Sequence, residues 1–228
     1  MESSQLIAIA RIGFKYPASA TPTRIMPELK FLKLALQCAE QCEPVATAFC
    51  VGCVITVPCP IPSSDPIVLA TGYSRELHGN THAEANALGK ARLLTPLQVS
   101  SLLYREETLV DPGHLPAIPT IGDLLAQADI YTTMEPCSVR LSGLAPCADA
   151  LIEARVKRCL IGVGEPADFV QCEGARKLES AGIEVVWMRE LENECLEVAR
   201  KGHPSNQWLG LSALIRLIKL IFYTSQIY

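Results

Sequence analysis

No dense run of lysine or arginine occurs in this sequence. Its 20 basic residues are scattered among 24 acidic ones, giving a formal net charge of −4 and a pI near 5.6. A duplex-binding face carries a basic stripe, so nucleic acid is not an expected partner. A small phosphorylated ligand, which needs only one or two cations, stays compatible. The N-terminus lacks a basic n-region and has only the short apolar run Leu6–Ala10, so no secretory signal is read there. Nor is there a comfortable membrane span, which takes ~20 apolar residues. The apolar stretch Trp208–Tyr223 is shorter than that and carries Arg216 and Lys219. No internal repeat and no nucleotide-binding glycine loop is visible. Without a secretory route the ten cysteines are expected to be reduced, and a spaced Cys/His set reads as metal-binding rather than as disulfides. A cytoplasmic location follows as the expectation.

What is present is a chain of 228 residues, 49% hydrophobic. That is enough for one ordinary domain with a buried core, and it excludes pervasive disorder. Residues 1–26, rich in Ser, Ala, Thr and Pro, read as a floppy tail, with a mitochondrial leader as the alternative. Pro27-Glu28 looks like a helix start, and apolar spacing carries that helix to about Cys42. Ala48–Val57 reads as a buried strand, Pro58–Pro66 as a loop and Ile67–Tyr73 as the return strand of an antiparallel hairpin. A helix is expected from His82 to about Leu93, then an inserted excursion over residues 95–127 that carries short helices. Further strands are expected at Asp129–Met134, Arg158–Val163 and Ile183–Trp187. Helices are expected at Pro146–Arg155, at Glu173–Ala181 and from Arg189 to Lys201. The pattern predicts an α/β layered domain over 27–201, with one antiparallel hairpin and parallel later strands. Residues 202–228 form an apolar, amphipathic tail, expected to pack on the domain or on a second subunit.

Three residues carry the chemistry of a metal. His82 opens a predicted helix, Cys137 follows a predicted strand and Cys147 opens another helix; each cysteine comes directly after a proline. One imidazole and two thiolates are a zinc set, and three protein ligands leave a fourth position for water. Glu84, two residues after His82, is not needed as a ligand and is free to move protons. A His-x-Glu with downstream Pro-Cys pairs is the signature of zinc deaminases acting on amino-substituted rings. Either half alone is weak, because His-x-Glu arises by chance and this chain uses cysteine freely as a small apolar residue. The ordered set of hairpin, His-x-Glu helix, strand ending in Glu-Pro-Cys and Pro-Cys helix favours a catalytic zinc over a closed structural one, which takes four ligands.

The stretches Gly72–Leu77, Gly79–Glu84, Met134–Gly143 and Ala145–Ile152 resemble the pyrimidine deaminase of riboflavin biosynthesis, and most closely its fungal form, the DRAP deaminases. Nine residues separate Cys137 from Cys147, as in that branch, whereas the P-C-x-x-C signature of other base deaminases has two. The resemblance covers roughly residues 28–200. It implies a three-layer α/β/α fold around a mixed five-stranded sheet, a homodimer, and Zn2+ held by His82, Cys137 and Cys147 with Glu84 as proton shuttle. It implies hydrolytic deamination of a phosphorylated diaminopyrimidinone, in the ribityl form. Ser138 and Arg140, in the loop between the cysteines, border the substrate; Arg75 matches a substrate-contacting position of the bacterial relatives, and Asn80 is a further polar candidate. A guanidinium, from Arg140 or Arg75, suits bidentate phosphate recognition. Many relatives carry an asparagine before the first strand's Val-Gly. Ala48–Gly52 has none, and Phe49 is expected to border or stack on the ring instead. The bacterial relatives are fused to a reductase, for which too few residues follow 201. The rival expectations are a deaminase of a free base or nucleoside (cytosine, cytidine, guanine) and a catalytically silent zinc subunit.

Overall fold

Short runs of β-branched and apolar residues build the sheet, and helices cover both its faces. The computed structural model describes residues 27–62, 64–104, 117–140, 143–166 and 173–203. Its strands are β1 (Gly52–Val57), β2 (Ile67–Tyr73), β3 (Asp129–Met134), β4 (Arg158–Val163) and β5 (Glu184–Trp187), in the order β2-β1-β3-β4-β5. β1 runs antiparallel to both β2 and β3, while β3, β4 and β5 are mutually parallel. This is the mixed five-stranded sheet anticipated above.

The helices are α1 (Pro27–Ala39), α2 (Ala83–Arg92), α3 (Pro96–Leu103), α4 (Ile121–Leu125), α5 (Cys147–Glu153), α6 (Gly174–Ser180) and α7 (Glu192–Ala199). α7 follows a short 3-10 turn at Arg189–Leu191. Phe31, Leu32 and Ala35 of α1 and Cys195 and Ala199 of α7 pack on one side, against Val54, Tyr131 and Leu160. The other layer joins Ala83, Ala87 and Leu88 of α2, Leu151 of α5 and Leu178 of α6 to Ile55, Ile130 and Ile161. The excursion between α2 and β3 carries short helices as expected. Thr95 and Thr120 each close a reciprocal capping box that starts one of them.

α1 ends at Ala39 rather than near Cys42. The last helix covers only Glu192–Ala199 of the expected Arg189–Lys201, its start being the 3-10 turn. Three further boundaries differ from the sequence reading, beside the cysteines and His82. β1 begins at Gly52, so Ala48–Val51 is not strand. That segment is held by Cys50 N–H on the Ala199 carbonyl at 2.9 Å and by Ser74, whose N–H donates to the Val51 carbonyl at 2.9 Å. His82 caps α2 in extended conformation instead of lying inside the helix. Pro146 does the same for α5. The expected tails, 1–26 and all but two residues of 202–228, lie outside the described residues. Among those described, no helix is long and apolar enough to cross a membrane.

Two glycines let helices rest directly on the sheet from opposite sides. A Cβ on Gly52 would stand 1.9 Å from the Ala35 carbonyl oxygen of α1, and one on Gly72 would stand 2.3 Å from the Ala83 carbonyl oxygen of α2. Both neighbours are helix backbone, which cannot swing aside. Gly52→Ala is therefore expected to cost about 3 kcal/mol, the upper end of core overpacking. Thermal unfolding should show a Tm lowered by about 10 °C, at the few degrees per kcal/mol usual for a domain of this size.

Candidate active site

Gly72 sets the site by bringing the start of α2 down onto β2. His82 ends the extended approach to that helix at φ −101°, ψ 151°, and makes no side-chain cap bond. Its imidazole turns instead toward the two cysteines. Nδ1 lies 3.4 Å from Cys137 Sγ and 3.5 Å from Cys147 Sγ, and the three ligand atoms all lie within 4.8 Å of one another. A tetrahedral zinc with its usual bond lengths separates a nitrogen from a sulfur ligand by about 3.6 Å. The residues present fit that ion.

The start of α5 clamps the pair. Cys147 N–H donates to Cys137 Sγ at 3.3 Å, and Ala148 N–H donates to the Cys137 carbonyl at 3.1 Å. Hydrogen bonding from the Cys147 thiol pulls the Cys137 thiol well below its ordinary value, assisted by His82 and the Cys147 N–H. The same thiol pair, together with burial, holds Cys147 well above its ordinary value. Both sulfurs have to be deprotonated to hold a dication, so metal binding at this pair would release protons.

Glu84 lies in the first turn of α2 and is only 3% exposed. Burial, and then the Cys137 charge, push its carboxyl above the ordinary range, while its own backbone N–H, His82 and Thr132 pull the other way. The Thr132 hydroxyl meets Glu84 Oε1 at 2.9 Å. His82, Glu84 and Cys137 open onto a cavity of about 160 Å³, walled also by Thr47, Ala48, Phe49, Val51, Ser74, Arg75, Asn80, Met134, Glu135 and Glu165. A His/Cys/Cys set that could hold a metal, a buried carboxylate beside it and a pocket of mixed polar and apolar lining in front can together serve hydrolytic chemistry.

Residues 26–163 match the family of the cytidine and deoxycytidylate deaminase zinc-binding region. The diaminohydroxyphosphoribosylamino-pyrimidine deaminase of Schizosaccharomyces pombe is 36% identical over 175 residues, which make up 77% of this chain and 35% of that protein. The crystal structure of Aspergillus oryzae Rib2 deaminase in complex with DARIPP matches with a TM-score of 0.56 at 33% identity, covering 78% of this chain and 92% of that one. The chain belongs to the riboflavin-pathway branch of the cytidine and deoxycytidylate deaminase family. RibD from Bacillus amyloliquefaciens, 32% identical over 120 residues, is again covered for only 32% of its length. This deaminase-family chain thus spans about a third of the curated relatives it matches.

The substrate-side candidates separate in space. Arg75 reaches the cavity wall, but its guanidinium donates to main chain: Nη1 to the Phe49 carbonyl at 2.9 Å, and Nε and Nη2 to the Glu43 carbonyl at 3.2 and 2.8 Å. Its backbone is left-handed at φ 61°, which a non-glycine residue adopts only when its surroundings fix it. In this family member Arg75 braces the 43–50 wall. Arg140 is not among the residues that line the cavity, but it reaches Asn80, which is, and its Nη2 donates to the Asn80 carbonyl at 2.8 Å. Its Nε is buried with no hydrogen-bond partner among the described residues. Asn80 lines the cavity. Ser138 turns away from it, and its Oγ accepts from Glu173 N–H at 3.2 Å beside α6. Phe49 borders the cavity, and one of its faces stacks on His203 with ring centroids 4.8 Å apart.

Sequence reasoning gave no role to Glu135, Thr132 or His203. Glu135 sits in the quoted Glu-Pro-Cys motif, and its carboxylate accepts from Ala175 N–H at 2.9 Å, tying the cysteine loop to α6. Its place in the motif was the available signal. Thr132 looks like any β-branched strand residue, and nothing local marks it.

Proposed function

We propose that this chain catalyses zinc-dependent hydrolytic deamination of 2,5-diamino-6-ribitylamino-4(3H)-pyrimidinone 5'-phosphate, with release of ammonia. The observation that carries this reading is a buried Glu84 beside a His82–Cys137–Cys147 set whose spacing suits zinc. When bound, zinc would polarise a water for attack on the ring carbon that bears the amine. The chain's own residues handle the protons. Glu84 takes one from the water, passes it to the adjacent ring nitrogen, and returns a proton to the departing amine, so that water and C–NH2 become C=O and NH3. Its raised affinity for a proton suits a group that must hold one between transfers. Asn80 and the 47–49 wall hold the ring and sugar. Arg140 rests on Asn80 beside the cavity and has a buried Nε with no hydrogen-bond partner among the described residues. It is the better of the two arginines for the phosphate, since Arg75 is committed to main chain. Arg75 keeps the wall in place behind it.

The Aspergillus relative was crystallised with DARIPP, and the riboflavin-pathway relatives extend the same substrate class to this chain. The cytoplasmic location and the homodimer are part of the same proposal. Its test is ammonia release by zinc-loaded protein, offered the phosphorylated diaminopyrimidine, cytosine, cytidine and guanine in parallel. Turnover of the phosphorylated diaminopyrimidine alone is the expected result. Turnover of cytidine alone would move the assignment to a nucleoside deaminase, and no turnover of any of them would favour the silent zinc subunit.

A further inference from the structure

We infer that Thr132 is a positioning residue for Glu84, holding its carboxyl in its working orientation. The inference rests on the role proposed for Glu84. Thr132 lies in the middle of β3, fully buried, opposite Cys53 on one neighbouring strand and Ile161 on the other. Its Oγ1 stands 2.9 Å from Glu84 Oε1 and 2.9 Å from the Met134 carbonyl oxygen. A hydroxyl has one proton and two lone pairs, so it cannot donate to both oxygens at once. The hydroxyl is held between the two, and its contact with the carboxyl fixes where Oε1 lies.

The surroundings give this contact weight. Cys53 and Cys159 also lie near Glu84, and burial holds both thiols well above their ordinary value, so they face it as neutral, weak donors. Without Thr132 the carboxyl would keep its own backbone N–H but lose this contact, and an unmade hydrogen bond at a buried charge is costly. The adjacent Thr133 does a different job. Its side chain points to the other side of the strand, as alternation requires, and its Oγ1 accepts from Gly52 N–H at 3.1 Å. That contact ties β3 to β1 and does not involve Glu84.

The test is a set of three full-length, zinc-loaded variants, each with kcat, KM, bound zinc and Tm measured on the same preparation. Thr132→Val keeps the shape and removes the hydroxyl. It is expected to lower kcat about 10- to 100-fold, the range a hydrogen bond to a charged group supports, with KM and zinc content unchanged. Thr132→Ser restores the hydroxyl and is expected to recover most of kcat. Thr133→Val, which removes a purely structural bond, is expected to lower Tm and leave kcat unchanged. Thr132→Val with wild-type kcat would overturn the inference, and so would a kcat loss that serine fails to recover in folded, zinc-bound protein. Crystal structures of the zinc-loaded wild type and Thr132→Val protein give a readout that does not need the substrate. The Glu84 carboxyl should rotate away in the variant, and an unmoved carboxyl would overturn the inference even if the wild type turned over none of the offered bases.

Discussion

Glu84→Gln should leave stoichiometric zinc in place and lower kcat by on the order of 10²–10⁴-fold, the span that a positioned acid–base group contributes. At 1.36 kcal/mol per tenfold, that is about 3–5 kcal/mol of barrier. Glutamine has nearly the shape of glutamate, and its amide oxygen can still accept from Thr132, so the pocket keeps its form. What it cannot do is take a proton from water and give one to a leaving amine. Steady-state kinetics with elemental analysis of the same sample checks both halves. Loss of zinc in the variant would mean that Glu84 supports the metal rather than the proton transfers.

The same substitution has a stability consequence of opposite sign in metal-free protein. The Glu84 carboxyl titrates above its ordinary value in the fold, chiefly because burial penalises the charge. A group whose folded pKa is raised contributes its stability below the unfolded value and loses it as pH rises through the folded one. Glutamine carries no such loss. The metal-free variant should therefore melt higher than metal-free wild type above the ordinary carboxylate range, with the difference closing as pH falls below it.

Cys137→Ser and Cys147→Ser should each strip the protein of zinc on dialysis and reduce turnover further than Glu84→Gln does. A thiolate is a far better zinc ligand than an alcohol, and two remaining ligands are too few to compete with water. Because the ion binds the folded chain, its loss also removes stabilisation, about 4 kcal/mol when zinc is a thousandfold above its Kd. At a few degrees per kcal/mol, the melting temperature should fall by roughly 10 °C. The two variants should not be equal. Cys147 is buried at the start of α5, and its N–H holds the other sulfur, whereas Cys137 sits on a partly exposed loop. Cys147→Ser should be the less soluble and less cooperative of the two. Chelation of the wild type supplies the control, since zinc should restore its activity and its Tm, while neither variant recovers.

Strands were the easiest elements to read. The bounds of β2, β3 and β4, at Ile67–Tyr73, Asp129–Met134 and Arg158–Val163, follow from their β-branched runs and the punctuation around them. The grouping of His82, Cys137 and Cys147 was legible as well, because the His-x-Glu spacing and a proline before each cysteine mark them without any knowledge of what lies across the fold. Ala48–Val51 was misread as strand for a physical reason. An apolar run signals burial, and a buried wall held by Arg75 and Ala199 is as apolar as a buried strand. Arg75 and Ser138 show the same gap on the polar side. Residue type announced a hydrogen-bonding group near the site, but its partners, the carbonyls of Glu43 and Phe49 and the N–H of Glu173, are supplied by chain distant in sequence. Thr132 was invisible because its meaning depends wholly on which residue of another element stops 2.9 Å away.

Gly72 constrains how this scaffold can diversify. With main chain resting on main chain, α2 cannot retreat to make room for a bulkier ring, nor lean in to grip a smaller one, without dragging His82 and Glu84 out of register with the two sulfurs. The floor proposed to perform the reaction is thereby locked to the sheet. New appetites for substrate have to be written into the rim, at residues 43–50 and in the stretch that joins the cysteines, where sequence can drift without touching the chemistry.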